Sequence, residues 1–252
     1  DVTPLLWAYG RDLSSAKKAL SRPETRNLKT IIAPGSWDPG NIEAYLKLSR
    51  EFPQVIGMIV TVWEKDVARI ENFWPGFSLA LELAWNRDAD PVSIRTALAK
   101  GEGYLDSWEI SGPYVKKGAS LSQLYAEAFP PESSPSTARW KAVPPSASAG
   151  GPVDLGSLLG GEDRAGYLRT TIKAPKDQKA RLELGSDDGI KAWLNGVLIH
   201  GKDAARAHSA GEDKVEITLK KGDNILLLKV TQAKEGWLAS ARLKTLEGRP
   251  LP

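Results

Sequence analysis

The chain has no cysteine and only two histidines, His200 and His208, among its 252 residues. Without cysteine there are no disulfides and no thiolate metal sites. Two histidines, both expected in a polar loop, leave little for a zinc centre, which needs three or four ligands. No apolar run is long enough to span a membrane, and no signal-peptide pattern begins at Asp1. No basic block interrupts the mixed charges, whose net value is +3, so nucleic acid is not an expected partner. Phosphate-binding and dinucleotide glycine patterns are missing. Gly150-Gly151 and Gly160-Gly161 lie outside any strand–helix context. No serine–histidine–aspartate arrangement can be placed. What the chain does have is tryptophan: nine, against four phenylalanines.

Three of those tryptophans recur in one pattern within the first 65 residues. An apolar segment runs into a tryptophan and then into a charged or turn-forming residue. The segments are Pro4 to Asp12, Thr30 to Asp38 and Val55 to Glu64. A helix-like pattern follows each, and in strand–helix alternation ligands bind at the carboxyl ends of the strands. An indole face stacks on the C–H face of a sugar ring, and a neighbouring carboxylate accepts from its hydroxyls. This makes Trp7, Trp37, Asp38, Trp63 and Glu64 candidate sugar contacts. The competing reading is that these indoles only close the core. Trp74, Trp85, Trp140, Trp193 and Trp237 are expected to be core or packing residues.

The period changes near Gly101. Before it, Leu5 to Ala8 and Thr30 to Ala33 read as strands. Asp12 caps a helix over Leu13 to Ser21, and Asn41 caps a second one. Val55 to Val62 reads as a strand buried on both faces. Val67 to Phe73 reads as helical, Pro75 starts another helix to Trp85, and Asp90 starts one to Lys100. Right-handed crossovers make this a parallel α/β sheet, in part like a TIM barrel. After Gly101 the period is two. Seven strands are expected over Ser107 to Lys244, with an Asn195-Gly196 hairpin turn. That pattern is an all-β sandwich or jelly roll. The expected domains are therefore 1–101 and 102–252, with a Pro/Ser/Gly-rich surface excursion at 130–161 crossed by one short strand.

Two resemblances follow from these segments. Gly185 to Gly196 resembles the central hairpin of the protective-antigen-like sandwich modules attached to secreted bacterial glycoside hydrolases. Trp108 to Pro113, Tyr167 to Thr170 and Gly222 to Lys229 fit the same pattern. The resemblance puts Asp187 and Asp188 where related modules can hold Ca²⁺ beside a sugar. The other reading is a tight turn whose carboxylates bond backbone N–H groups. Two carboxylates alone do not fill the six to eight oxygens calcium takes.

Gly57 to Glu64, followed by Phe73 to Trp85, resembles the closing portion of a family 20-type β-N-acetylhexosaminidase barrel. That resemblance implies that Trp63 stacks on a sugar and Glu64 accepts from its hydroxyls, with Trp37 and Asp38 in the preceding loop. The acidic pair that performs this family's chemistry has no counterpart here, and a barrel needs eight strand–helix units. The chain is expected to be the C-terminal part of a larger glycoside hydrolase, or to complete its barrel with another chain. It would be secreted or at a bacterial cell surface. The alternatives are a non-catalytic carbohydrate-binding or surface-structural protein, or a sandwich that only props the barrel.

Overall fold

The computed structural model describes residues 3–36, 38–63, 74–86, 88–148 and 151–251. They form two compact units, Asp1–Leu98 and Ala99–Pro252. Among the described residues no helix is long and apolar enough to cross a membrane.

The first unit alternates strand and helix. The elements are β1 (Leu5–Trp7), α1 (Ser14–Leu20), β2 (Thr30–Ala33), α2 (Pro39–Glu51), β3 (Val55–Met58), α3 (Trp74–Trp85) and α4 (Pro91–Gly101), which runs past the boundary. The strands are parallel in the order β1-β2-β3. Leu13, Ala16 and Leu20 of the α1 region pack with Ile32, Tyr45 and Leu48. Ile42 packs instead with Leu79, Ala80 and Leu83 of α3. Each such buried aliphatic side chain contributes about 1.5–3 kcal/mol. Gly76 is required by close approach: a Cβ there would lie 1.9 Å from the Ser36 carbonyl oxygen.

Four expectations about this unit need correction. The strand at Val55 is shorter than expected and is not buried on both faces, since Ile56 and Ile59 are half exposed. Among the described residues its apolar run lies at an open sheet edge with no further strand beside it. Asn41 does not cap α2. Asp38 does, accepting from the Gly40 N–H, because Pro39 already occupies the first helical turn. Asp12 binds the Ser14 N–H from one position before the N-cap residue, Leu13. Trp85 is not a core residue, being 88% exposed at the end of α3. The expected helix over Val67 to Phe73 lies outside the described residues. So does the side chain of Trp74.

The second unit is two antiparallel sheets around one core. Its elements begin with β4 (Glu109–Tyr114), α5 (Leu121–Ala126), α6 (Pro130–Ser133), β5 (Lys141–Ala142), α7 (Pro145–Ser148), β6 (Val153–Asp154) and α8 (Leu155–Leu159). The long strands follow: β7 (Arg164–Ala174), β8 (Gln178–Ser186), β9 (Ile190–Leu194), β10 (Val197–Lys202), β11 (Asp213–Leu219), β12 (Gly222–Gln232) and β13 (Leu238–Lys244). One sheet has the order β10-β9-β12-β7-β4-β5 and the other β11-β8-β13-β6. Alternate residues face inward, so Leu168, Ile172, Leu226, Leu228 and Val230 of the first sheet meet Leu182, Leu184, Ala239 and Ala241 of the second. Asn195 and Gly196 both take positive φ, 51° and 82°, as a two-residue hairpin of the twist-matching kind requires.

The stretch 130–161 is not a surface excursion throughout. Val153 and Leu155 are fully buried, and β6 pairs with β13 at the margin of the four-stranded sheet. Asp154 caps α8 by accepting from the Ser157 N–H. The Pro/Ser/Gly composition hid one apolar pair that the sandwich edge needs. Trp237 is a core residue, 1% exposed, whereas Trp140 and Trp193 are only half-buried and stand apart from the core cluster.

Candidate functional site

The carboxyl ends of the parallel strands bring three aromatic rings together. Trp7 ends β1, and Tyr9 follows two residues later. Trp63 follows the segment in which Gly35 and Thr61 form a parallel bridge that prolongs the β2–β3 pairing. Ring centroids are 6.2 Å apart for Trp7 and Trp63, 6.4 Å for Trp7 and Tyr9, and 6.5 Å for Tyr9 and Trp63. The indole N–H of Trp63 donates to the Tyr9 hydroxyl at 2.7 Å. The Thr61 hydroxyl donates to the same oxygen at 3.4 Å. These bonds fix the tilt of the rings. Trp7 and Trp63 are nevertheless 58% and 64% exposed. Large apolar groups held open by polar bonds mark a contact surface better than single exposed side chains do.

A buried amide supports this cluster from behind. Asn41 lies in the first turn of α2 and is fully buried. Its side-chain N–H groups donate to the carbonyls of Ala8 at 2.9 Å and Gly10 at 2.6 Å. Its oxygen accepts from the Gly35 N–H at 3.0 Å. One side chain thus ties the segments leaving β1 and β2, and Tyr9 sits between its two carbonyl partners.

Of the five residues expected to touch sugar, Trp7 and Trp63 are brought together. Asp38 has a different task. Its carboxylate accepts from the Arg11 guanidinium at 3.1–3.2 Å and from the Gly40 N–H at 2.9 Å. Trp37 and Glu64 lie outside the described residues. Tyr9 and Asn41 were not anticipated in these roles. Tyr9 was legible as the residue two after Trp7, which places both rings on one side of an extended chain. Asn41 carried a weaker signal, a short amide on an otherwise apolar helix face.

Asp187 and Asp188 sit in the turn between β8 and β9. Asp188 is buried, and its two carboxylate oxygens accept from the backbone N–H groups of Arg206 at 2.9 Å and Ala233 at 2.8 Å. That is the turn-bonding arrangement, and it joins three loops. Asp187 is pushed up to about 6. Burial is the main cause, repulsion from Asp188 adds to it, and a bond from the His208 backbone opposes it. Among the described residues no group of three or more His, Cys, Asp or Glu side chains could hold a metal ion. A calcium ion on Asp188 would compete with two N–H bonds already made.

The histidines are not simply polar surface groups. His208 bonds the Ser240 hydroxyl at 2.8 Å, and burial pushes it down to about 4, so it is neutral at pH 7. His200 lies 3.3 Å from Asp213.

Residues 162–236 match the family model described as alpha-L-rhamnosidase, domain D2. The match runs from the loop before β7 to the turn after β12, less than a third of the chain. No curated protein matches. Among solved structures, an anti-sigma factor domain-containing protein is 20% identical with a TM-score of 0.28. It covers 34% of this chain and 29% of its own. The PA14 domain of the MpAFP antifreeze protein is 13% identical with a TM-score of 0.28, covering 34% and 45%. Faecalibacterium prausnitzii beta-glucuronidase is 16% identical with a TM-score of 0.30, covering 51% and 21%. The chain thus spans less than half the length of each of these proteins.

Proposed function

We propose that this chain is the carbohydrate-contacting portion of a glycoside-hydrolase-type protein, with Trp7, Tyr9 and Trp63 as a platform for a sugar ring. The observation that carries the reading is the exposed ring cluster at the strand ends, held by the Trp63–Tyr9 bond and backed by Asn41. Support comes from the sandwich, part of which matches a domain model named for a glycoside hydrolase. The hexosaminidase-like assignment and a secreted or cell-surface location belong to the same proposal, whereas Asp187 and Asp188 are read as turn residues, with Asp188 bonding two backbone N–H groups. A non-catalytic carbohydrate-binding protein is the second reading, favoured because the described residues at the strand ends supply ring faces.

Among the described residues β3 has an open side, which bears on partners. Ile56, Leu81 and Trp85 are exposed beside an apolar groove of about 480 Å³ between β3, α2 and α3. This supports completion of the sheet by further strand–helix units, from upstream sequence or another chain.

The test is titration with neutral mono- and disaccharides, including L-rhamnose and N-acetylglucosamine, followed by tryptophan fluorescence. Trp63→Ala and Trp7→Ala are each expected to weaken binding roughly five- to tenfold, the worth of one stacked ring. Stability should shift by no more than about 0.5 kcal/mol, because both rings are exposed. Unchanged binding in both variants, or no response to any sugar, would remove the platform.

A further inference from the structure

The outer face of the six-stranded sheet carries a second row of aromatic, apolar and planar polar groups. Register defines it. Leu198 pairs with Trp193, Trp193 with Leu227, Leu227 with Arg169, and Arg169 with Glu109. Directly paired residues project from the same face. The inward face is fixed by Ala192, Leu226, Leu228 and Leu168 in the core, so this row points outward. It crosses five strands and is about 20 Å long at the usual strand spacing. Near its end Trp140 stacks on Arg169, with the guanidinium carbon 4.3 Å from the ring centroid. The Arg169 Nε donates to Glu109 at 2.7 Å.

One side of the row is walled. The neighbouring row contains Lys191, Lys229 and Tyr167, and the segment 121–133 lies over it. Lys229 is fully buried there, bonded to the Tyr125 and Glu127 carbonyls and paired with Glu132 at 3.1 Å. The other side stays open: Ile225 is 45% exposed, and its partner Thr171 is exposed too. The result is a straight shelf against a low wall.

We propose that this shelf binds an extended, uncharged glycan chain lying across the strands. Trp193 and Leu227 would face its C–H surfaces. Arg169 would donate to its hydroxyls, and Glu109 would accept from them. The charge balance selects the ligand class. Arg169 is already paired with Glu109, and Lys173 faces Asp223 in the register. The row itself carries one cation and one anion, paired with each other, and Lys191 on the walled side lies over the Tyr125 ring at 4.7 Å, so the row offers a polyanion or polycation no net charge of its own. The ligand class rests on the carbohydrate reading above, but the site does not depend on the Trp7–Tyr9–Trp63 platform.

The full chain is run on native affinity gels containing mixed-linkage β-glucan, galactomannan or arabinoxylan, with alginate as the charged control. Retardation by at least one neutral polymer is expected. Trp193→Ala and Leu198→Glu should each weaken it at least fivefold, whereas Lys214→Ala, at an exposed position of the other sheet, should leave it intact. Leu198 is 55% exposed, so its variant tests the shelf without opening the core. Thermal melts confirm that each variant is folded. Full retardation in both shelf variants overturns the proposal. So does an equal loss in Lys214→Ala, retardation only by alginate, or no retardation by any polymer. Sedimentation showing that a second copy covers this face also overturns it. Small-sugar titration reads the strand-end platform separately, so the two can fail independently.

Discussion

Asp187 and His208 show how two neighbouring groups can hide one another's titration. Asp187 is raised to about 6, so its contribution to stability is present below the unfolded value near 4 and is lost as pH rises through 6. His208 is lowered to about 4, so its contribution is present above the unfolded value of 6.5 and is lost as pH falls toward 4. The windows overlap and the signs oppose. Asp187→Asn keeps an acceptor for the His208 N–H but removes the first contribution. The variant is expected to lose stability more steeply than the parent between pH 6.5 and 4, by on the order of 2 kcal/mol. Urea melts at pH 7, 5.5 and 4 check this, and parallel curves for the two proteins would refute it. At this scale the sequence marked the aspartate pair and its turn, because Gly189 follows it. It gave no sign that His208 would be enclosed, since the loop that encloses it folds back from β10.

At the scale of elements, Lys229 decides where the segment 121–133 lies. Burial pushes its amine down, and Glu132 opposes that shift. Phe129 and Tyr167 lie 5.2 and 5.8 Å from it as ring partners. Tyr167 also donates to Glu132, which raises the phenol further above its usual range after burial itself. Breaking a buried pair from one side leaves the other charge unpaired. Lys229→Met is expected to cost about 3–5 kcal/mol in denaturant unfolding, and adding Glu132→Gln should recover part of it. A loss below about 1 kcal/mol would mean that the segment is held by its rings alone. The long strands were legible from the period of two, since Leu226, Leu228 and Val230 alternate with Ile225, Leu227 and Lys229. A lysine on an outer face reads as solvated, and nothing local says that a segment 100 residues away covers it.

At the scale of the whole molecule the two units differ in how well they close. The first has three strands of three or four residues, with both sheet edges open among the described residues. The second has two 11-residue strands, β7 and β12, paired along their full length inside a sheet. Short, open sheets unfold locally at low cost. Amides of β1 and β3 are therefore expected to exchange at least a hundredfold faster than those of β7 and β12 in hydrogen-exchange mass spectrometry. Equal protection in both units would show that something closes the parallel sheet.

The sequence by itself determined the two kinds of element and their order. Periods of 3.6 and 2 are local properties, and they place α/β structure before Gly101 and antiparallel strands after it. It also placed Trp7 at the end of β1 and Trp63 at the end of an apolar run, although β3 itself stops at Met58. Only the tertiary structure decided that their rings meet over Tyr9, since that depends on β1 and β3 flanking β2 in register. It also decided that Asn41 faces inward to the strand ends while Asp38 takes the cap. Both amide and carboxylate can cap a helix, and the choice rests on which one the neighbouring carbonyls reach. The row from Leu198 to Glu109 follows the same logic. Its members lie on five strands far apart in sequence, and only pairing register aligns them.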